Sequence, residues 1–237
     1  MIANRPESGL LRMVRWYAQL AKDLIFRPQY RPREFWEQRH AEGHDFWTVG
    51  RRAFDEAGNE EWYGRLAKDI VAELDADGVD LRTRSVCEIG AGIGYWTRLV
   101  RDQGCTRYLG TEIAASAVEW LRPQFPGFEF VVADAAEDPL PGSWDVILMI
   151  HVDEHIHGDR FDAALRNINR AMLPTSRFIT TYSLRAIESG VPYVEYHTRE
   201  DYAKVFPSAW IKSVPAPNGG DPLLSISESH RNEATTS

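Results

Sequence analysis

Cationic charge is in short supply in this chain. Across 237 residues, 27 lysines and arginines face 35 aspartates and glutamates, for a net charge of −8. That balance argues against a nucleic-acid partner, because phosphate binding needs a cationic surface. The deficit is uneven: residues 1–60 hold ten Lys or Arg against nine Asp or Glu, so the acidic excess lies beyond them. Cysteine is scarce too. Cys87 and Cys105 supply no disulfide framework and suit a reducing compartment. No run of about 18 apolar residues occurs, so no membrane-spanning helix is expected. No short apolar core with a small-residue cleavage site opens the chain, so a cytoplasmic location without a secretory leader is expected. What is present is a 43% hydrophobic content, enough to bury a full core.

The chain is expected to form a single domain over residues 1–237, with a helical, aromatic cap over 1–80, a core over 81–230 and a frayed polar tail over 231–237. After Ser8, a candidate cap, Leu10, Val14, Tyr17, Ala21 and Leu24 recur at helical spacing, with Arg12, Arg15 and Lys22 off the stripe. Residues 28–58 read as an irregular aromatic segment punctuated by Pro28, Pro32, Gly43 and Gly50, the texture of a lid or binding loop. Over 60–74 a helix returns, carrying Trp62, Leu66, Ile70 and Leu74 on one side.

From Ser85 onward, short apolar runs alternate with helical patterns. SVCEI (85–89), RYLGTE (107–112), FEFVVAD (128–134), WDVILMI (144–150) and RFITTYS (177–183) read as strands, with helices near 95–103, 114–123 and 159–172. This alternation implies an α/β fold: a mostly parallel sheet with helices on both faces. AWIKSV and LLSISES flank the turn-rich PAPNGGDP and suggest an antiparallel C-terminal hairpin, bringing the total to seven strands.

The strongest local signal is VCEIGAGIGYW (86–96), in which a strand ends in Glu88 and Gly90, Gly92 and Gly94 lead into a helix. Glycines allow a sharp turn and close approach of a ligand, and ligands of open parallel sheets gather at the carboxyl ends of the strands. Dinucleotide binding expects G-x-G-x-x-G; here the spacing is G-x-G-x-G, and the phosphate-binding lysine of a P-loop is missing. Glu88 suits an ammonium better than a pyrophosphate. Glu112 closes the second strand, where an acid can hold ribose hydroxyls, and Asp134 closes the third, where it can accept from an adenine amine. A ligand with an ammonium, a ribose and an adenine but no phosphate fits all three, and S-adenosylmethionine is such a ligand. Each acid has a plainer reading as a cap of the following helix.

CEIGAGIGYW, LGTEI, VADAAEDPLP, WDVILMI and NRAMLPTSRFI occur in the order and spacing of a known family. From about residue 86 to 183 the sequence resembles class I S-adenosylmethionine-dependent methyltransferases of the small-molecule, natural-product type. The resemblance implies a Rossmann-like seven-stranded sheet with a helical N-terminal cap. It also implies that Glu88 and the backbone of Gly90, Ala91, Gly92 and Gly94 hold the methionine moiety. Glu112 would hold the ribose, Ile113 would pack on the adenine, and Asp134 and Ala135 would read its edge, with Ile150 completing the cofactor set. Two features depart from the family pattern: Glu at 88 where Asp is commoner, and no Pro-Gly-Gly turn before the fifth strand.

HVDEHIHGD (151–159) follows the fourth strand directly and therefore faces the same crevice. Its first five residues match H-x-x-E-H, a zinc-peptidase pattern whose histidines must lie one turn apart on a formed helix. A strand-to-helix loop lacks that geometry, so no metal site is expected. Related methyltransferases often carry a His-Ile pair here, matching His155-Ile156. His155, with His151 second, is the candidate base or acceptor-orienting group; the plain reading is a polar loop. Trp36, Trp47 and Tyr63 are candidate acceptor contacts or simply core. The expected function is methyl transfer from S-adenosylmethionine to a small-molecule acceptor, a hydroxyl of a sugar or natural product. The competing readings are a nicotinamide-dependent oxidoreductase and a non-catalytic cofactor-binding module. Oligomeric state is not legible in the sequence.

Overall fold

The computed structural model describes residues 30–228 apart from 52, together with Val14 and Ala18. Those two positions are helical and exposed; the remainder of the helix expected over 10–24, and the tail over 231–237, lie outside the described residues.

Seven strands form one sheet: β1 (Ser85–Ile89), β2 (Arg107–Glu112), β3 (Glu129–Val132), β4 (Trp144–Met149), β5 (Met172–Thr181), β6 (Trp210–Val214) and β7 (Leu223–Ser227). Their order is β3-β2-β1-β4-β5-β7-β6. The neighbouring pairs among β1 to β5 are parallel, while β7 runs antiparallel to both β5 and β6. The expected C-terminal hairpin is present, with its second strand inserted against β5. Every residue of β1 is buried, as a central parallel strand covered on both faces requires.

Side-chain alternation divides the core. Val86, Val146 and Leu148 pack beneath α3 (Glu56–Ala76), α4 (Tyr95–Asp102) and α5 (Ala115–Gln124), together with Leu66, Ile70 and Leu121. Cys87, Ile147 and Phe178 point the other way, against Phe161, Leu165 and Ile168 of α6 (Asp159–Ala171) and Tyr202 of α7 (Arg199–Val205). Burying each such Leu or Ile stabilises by about 1.5–3 kcal/mol. α3 starts at Asp55, whose carboxylate accepts from the Gly58 amide at 2.9 Å and so satisfies an orphan donor.

The segment expected to be irregular folds instead into α1 (Pro32–Glu42) and the short α2 (Phe46–Val49). Of its punctuating residues, Pro28 lies outside the described residues, Pro32 is the first residue of α1, and Gly43 and Gly50 terminate α1 and α2. Proline lacks an amide hydrogen, and the first helical position needs none. α1 docks on the core through Glu37, whose carboxylate accepts from the Ser116 amide at 3.2 Å at the start of α5. Arg33 Nη1 donates to the Ile113 carbonyl at 3.3 Å.

Candidate active site

The glycine loop turns between β1 and α4 with Gly90, Gly92 and Gly94 all at positive φ. At Gly90 the requirement is twofold: φ is +74°, and a Cβ there would lie 2.3 Å from Cγ2 of Val152. The loop is tied down by Glu112. Its Oε2 accepts from the Gly92 amide at 2.9 Å, and its Oε1 accepts from the amides of Ile113 at 2.7 Å and Ala114 at 3.2 Å. Burial raises the Glu112 pKa against these three bonds. A carboxylate offers about four acceptor positions, so one remains for a ligand.

Asp134 follows β3. Its Oδ1 accepts from the Ala136 amide at 3.0 Å, and its Oδ2 accepts from Arg160 Nη2 at 2.5 Å. Arg160, in the first turn of α6, also bonds Glu137. Glu88 takes a different direction from the other two acids. It shares strand parity with Val86, so its carboxylate enters the core under α4. There it accepts from Tyr108 OH at 2.5 Å and Thr97 Oγ1 at 2.9 Å. Burial pushes its pKa up to about 8, against the two hydroxyl bonds.

Above the loop lies a cleft enclosing about 880 Å³ of empty space, its open mouth included. Gly90, Ala91, Glu112, Ile113, Asp134, Ala135 and Ile150 line it, as do His151, His155, Trp36 and Tyr63. Glu88, Gly92, Gly94 and Trp47 do not. Trp47 is instead part of α2, where its carbonyl accepts from Arg39. The lining is mostly apolar. Among the described residues its one lysine or arginine, Arg160, is committed to Asp134 and Glu137, so those residues offer no free cationic cradle for a pyrophosphate. Trp36 and His40 of α1 form part of the cover.

The 151–159 stretch holds a single 3-10 turn, Asp153–His155, rather than a helix. Its two candidate histidines face different surroundings. His155 Nδ1 lies 2.7 Å from the Tyr193 carbonyl. A carbonyl only accepts, so Nδ1 carries the hydrogen and Nε2 is left with a lone pair. Burial lowers the pKa of this ring to about 4, with Arg39 adding to the effect. His151 adopts φ 57°, the one positive φ outside glycine among the described residues, a conformation that costs about 1–3 kcal/mol. Its amide donates to Thr181 Oγ1 at 2.9 Å, and its ring packs 4.6 Å from Trp62. Asp153 turns inward to accept from Thr181. Among the described residues, no group of three or more His, Cys, Asp or Glu is placed to hold a metal ion.

A second cavity, about 1790 Å³ of empty space with its open mouth, adjoins the first. Trp36, Val49, Tyr63, His151 and His155 line both. Beyond this shared wall stand Glu154, Asp221, Arg51, Tyr193 and Tyr196. Sequence reasoning did not single out Arg160, Tyr193, Glu154 or Asp221. Arg160 lies just past the histidine stretch, but Tyr193 and Asp221 come from later segments that carry no local signal.

A family profile described as a methyltransferase domain matches residues 59–213. An uncharacterized methyltransferase of Mycobacteroides abscessus is 32% identical over 114 residues, covering 44% of each chain. One from Mycolicibacterium gilvum is 29% identical over 111 residues, covering 44% of this chain and 43% of the relative. The match therefore spans less than half the length of these curated relatives. Among solved structures, an amino pentose methyltransferase of Micromonospora echinaspora, with S-adenosylmethionine bound, superposes with a TM-score of 0.60. The identity is 14%, and the match covers 74% of this chain and 98% of that one. A magnesium protoporphyrin IX methyltransferase of Synechocystis, also with S-adenosylmethionine bound, gives 0.58 at 16% identity, covering 96% and 100%. At such identities the likeness shows a shared fold.

Proposed function

The chain belongs to the methyltransferase-domain family, and on that premise we propose that it transfers a methyl group from S-adenosylmethionine to a small-molecule acceptor. The observation that carries this reading is the pair of adjoining cavities separated by His151, His155, Trp36 and Tyr63. The first has the chemistry for the cofactor. Glu112 would bond a ribose hydroxyl through its remaining acceptor position and Ile113 would pack on the adenine. Asp134 and Ala135 would take the adenine edge, and the Gly90–Ala91 backbone with Ile150 would border the methionine end. A nucleoside sulfonium without phosphate suits a cleft whose single cation among the described residues is already engaged. The second cavity would hold the acceptor.

S-adenosylmethionine supplies an electrophilic methyl group on a sulfonium. The chain's own residues would orient the acceptor and exclude water, and such orientation supplies much of the acceleration in reactions of this kind. α1 covers the cleft, and its Trp36 ring meets His155 edge-on at 4.9 Å. His155 Nε2 is the lone pair available on the shared wall, placing it to hold the acceptor's nucleophilic group. The cavity has room for the sugar-sized or natural-product acceptor expected from the sequence. The expected hydroxyl is less well served, because an imidazole held near pKa 4 is a weak base for an alcohol. Release of S-adenosylhomocysteine in an acceptor screen tests the function; release under no acceptor, with cofactor binding intact, would leave a binding module.

A further inference from the structure

Three features of the acceptor-side cavity point to the same kind of ligand. The first is Glu154. Its side chain lines the cavity, is 29% exposed, and receives no hydrogen bond and no Lys or Arg ion pair among the described residues. His155 Nε2 lies 3.7 Å from Oε1 and carries no hydrogen to give, while Arg51 acts on the carboxyl through its charge alone. Among the described residues, the arginines lining the cavity are Arg39, Arg51 and Arg185. Arg51 Nη2 donates to both oxygens of Asp221 at 2.9 Å and lies 4.1 Å from the Trp62 ring centroid. Arg39 donates to the Trp47 carbonyl and lies over Trp36. Arg185 stands on the exposed rim.

The second feature is His151. Its side chain is 10% exposed and lines both cavities, and its Nε2 is buried without a hydrogen-bond partner. A buried polar atom left unpaired costs free energy unless a ligand or water satisfies it. The third is the wall. Trp36, Trp62, Tyr63, Tyr193 and Tyr196 surround the carboxylate with ring faces and edges. A carboxylate with no direct cation contact among the described residues, set among aromatic rings, is complementary to a ligand ammonium through charge and cation–π attraction.

Resting on the methyltransferase reading above, we infer that the acceptor is an amine, and that Glu154 binds its nitrogen as an ammonium beside the unpaired His151 Nε2, which lies 3.7 Å from Asp221 Oδ2. The same contact prepares the nitrogen. One ammonium N–H bond breaks, its proton bonds to a Glu154 carboxylate oxygen, and the electron pair stays on nitrogen, facing the shared wall. Burial raises the Glu154 pKa, which favours this transfer. His155, kept neutral by burial and held in one tautomer by the Tyr193 carbonyl, then orients a remaining N–H without needing to act as a strong base.

Fluorescence titration of the full chain tests this directly, since Trp36 and Trp62 line the cavity. Benzylamine and benzyl alcohol serve as matched probes, each with and without S-adenosylhomocysteine. Benzylamine is expected to bind saturably and at least about tenfold more tightly than the alcohol, as one charge-assisted bond supports. Glu154→Gln should erase that preference while S-adenosylhomocysteine binding stays unchanged. Equal binding of the two probes, no saturable binding of benzylamine, or a preference that survives Glu154→Gln would overturn the inference. Failure of S-adenosylhomocysteine to bind the unaltered protein would count against the methyltransferase reading and leave the probe comparison standing.

Discussion

The Gly92 amide donates a 2.9 Å hydrogen bond to Oε2 of Glu112, joining the loop after β1 to the end of β2 across the floor of the cleft. The acid expected to hold the ribose also fixes the loop proposed to border the cofactor. Glu112→Ala should therefore do two things. Loss of a charge-assisted contact worth about 1.5–3 kcal/mol weakens S-adenosylhomocysteine binding roughly 10- to 100-fold. Three backbone amides lose their acceptor, so the melting temperature falls as well. Calorimetry and a thermal melt on the same variant check both; unchanged affinity in a folded protein would remove Glu112 from the ribose site.

Gly90 is the glycine with least tolerance in the cleft. Its φ of +74° and the 2.3 Å approach of Val152 Cγ2 to an added Cβ make Gly90→Ala strained in the backbone and crowded against the histidine loop. The backbone alone accounts for about 1–3 kcal/mol. A clear drop in melting temperature and loss of cofactor binding are expected, and a variant with both properties intact would show that the loop shifts freely.

Glu88 was expected to hold the methionine end, but its carboxylate lies under α4 with Tyr108 and Thr97. With its pKa near 8 in the fold, it is mostly protonated at neutral pH, so the isosteric Glu88→Gln should leave S-adenosylhomocysteine affinity within a few-fold. The folded pKa lies above the reference 4.5. Its contribution to stability is therefore full below pH 4.5 and is lost as pH rises through about 8. Thermal melts from pH 5 to 9 should show a shallower alkaline decline in Glu88→Gln than in the parent. A tenfold loss of affinity would return Glu88 to the cofactor site.

His155 shifts in the opposite direction. Its folded pKa of about 4 lies below the reference 6.5, so its contribution to stability is full above pH 6.5 and is lost as pH falls through about 4. His155→Gln should flatten the acid side of the melting curve across that window. Once an acceptor is in hand, His155→Ala should slow turnover by about 10²-fold through lost orientation, with little change in cofactor affinity. Full turnover in His155→Ala would mean that the acceptor is oriented by other groups.

Much of the sheet was legible because its strands are short apolar blocks bounded by polar residues. β1 and β2 fall where SVCEI and RYLGTE were read. α1 was missed because Pro32 and Gly43 look like loop punctuation when only local chemistry is considered; whether a proline starts a helix or breaks one depends on what the residues after it pack against. Glu112 and Asp134 line the cleft, as their strand-end positions suggest, yet the direction of Glu88 follows from strand parity relative to Val86, which neighbouring motifs do not report. The second cavity was least legible. Tyr193 fixes the His155 tautomer from 38 positions away, and Asp221 neutralises Arg51 from 170 positions away. Pairings of that range are made by the fold and leave no spacing in the sequence.

The central claim is that the cleft above the glycine loop takes S-adenosylmethionine. Isothermal titration of the full chain with S-adenosylhomocysteine, and separately with NADH, tests it most directly. Micromolar-range binding of S-adenosylhomocysteine, with no heat from NADH, is the result the geometry of Glu112, Asp134 and Gly90 predicts. Binding of NADH with no binding of S-adenosylhomocysteine would contradict it.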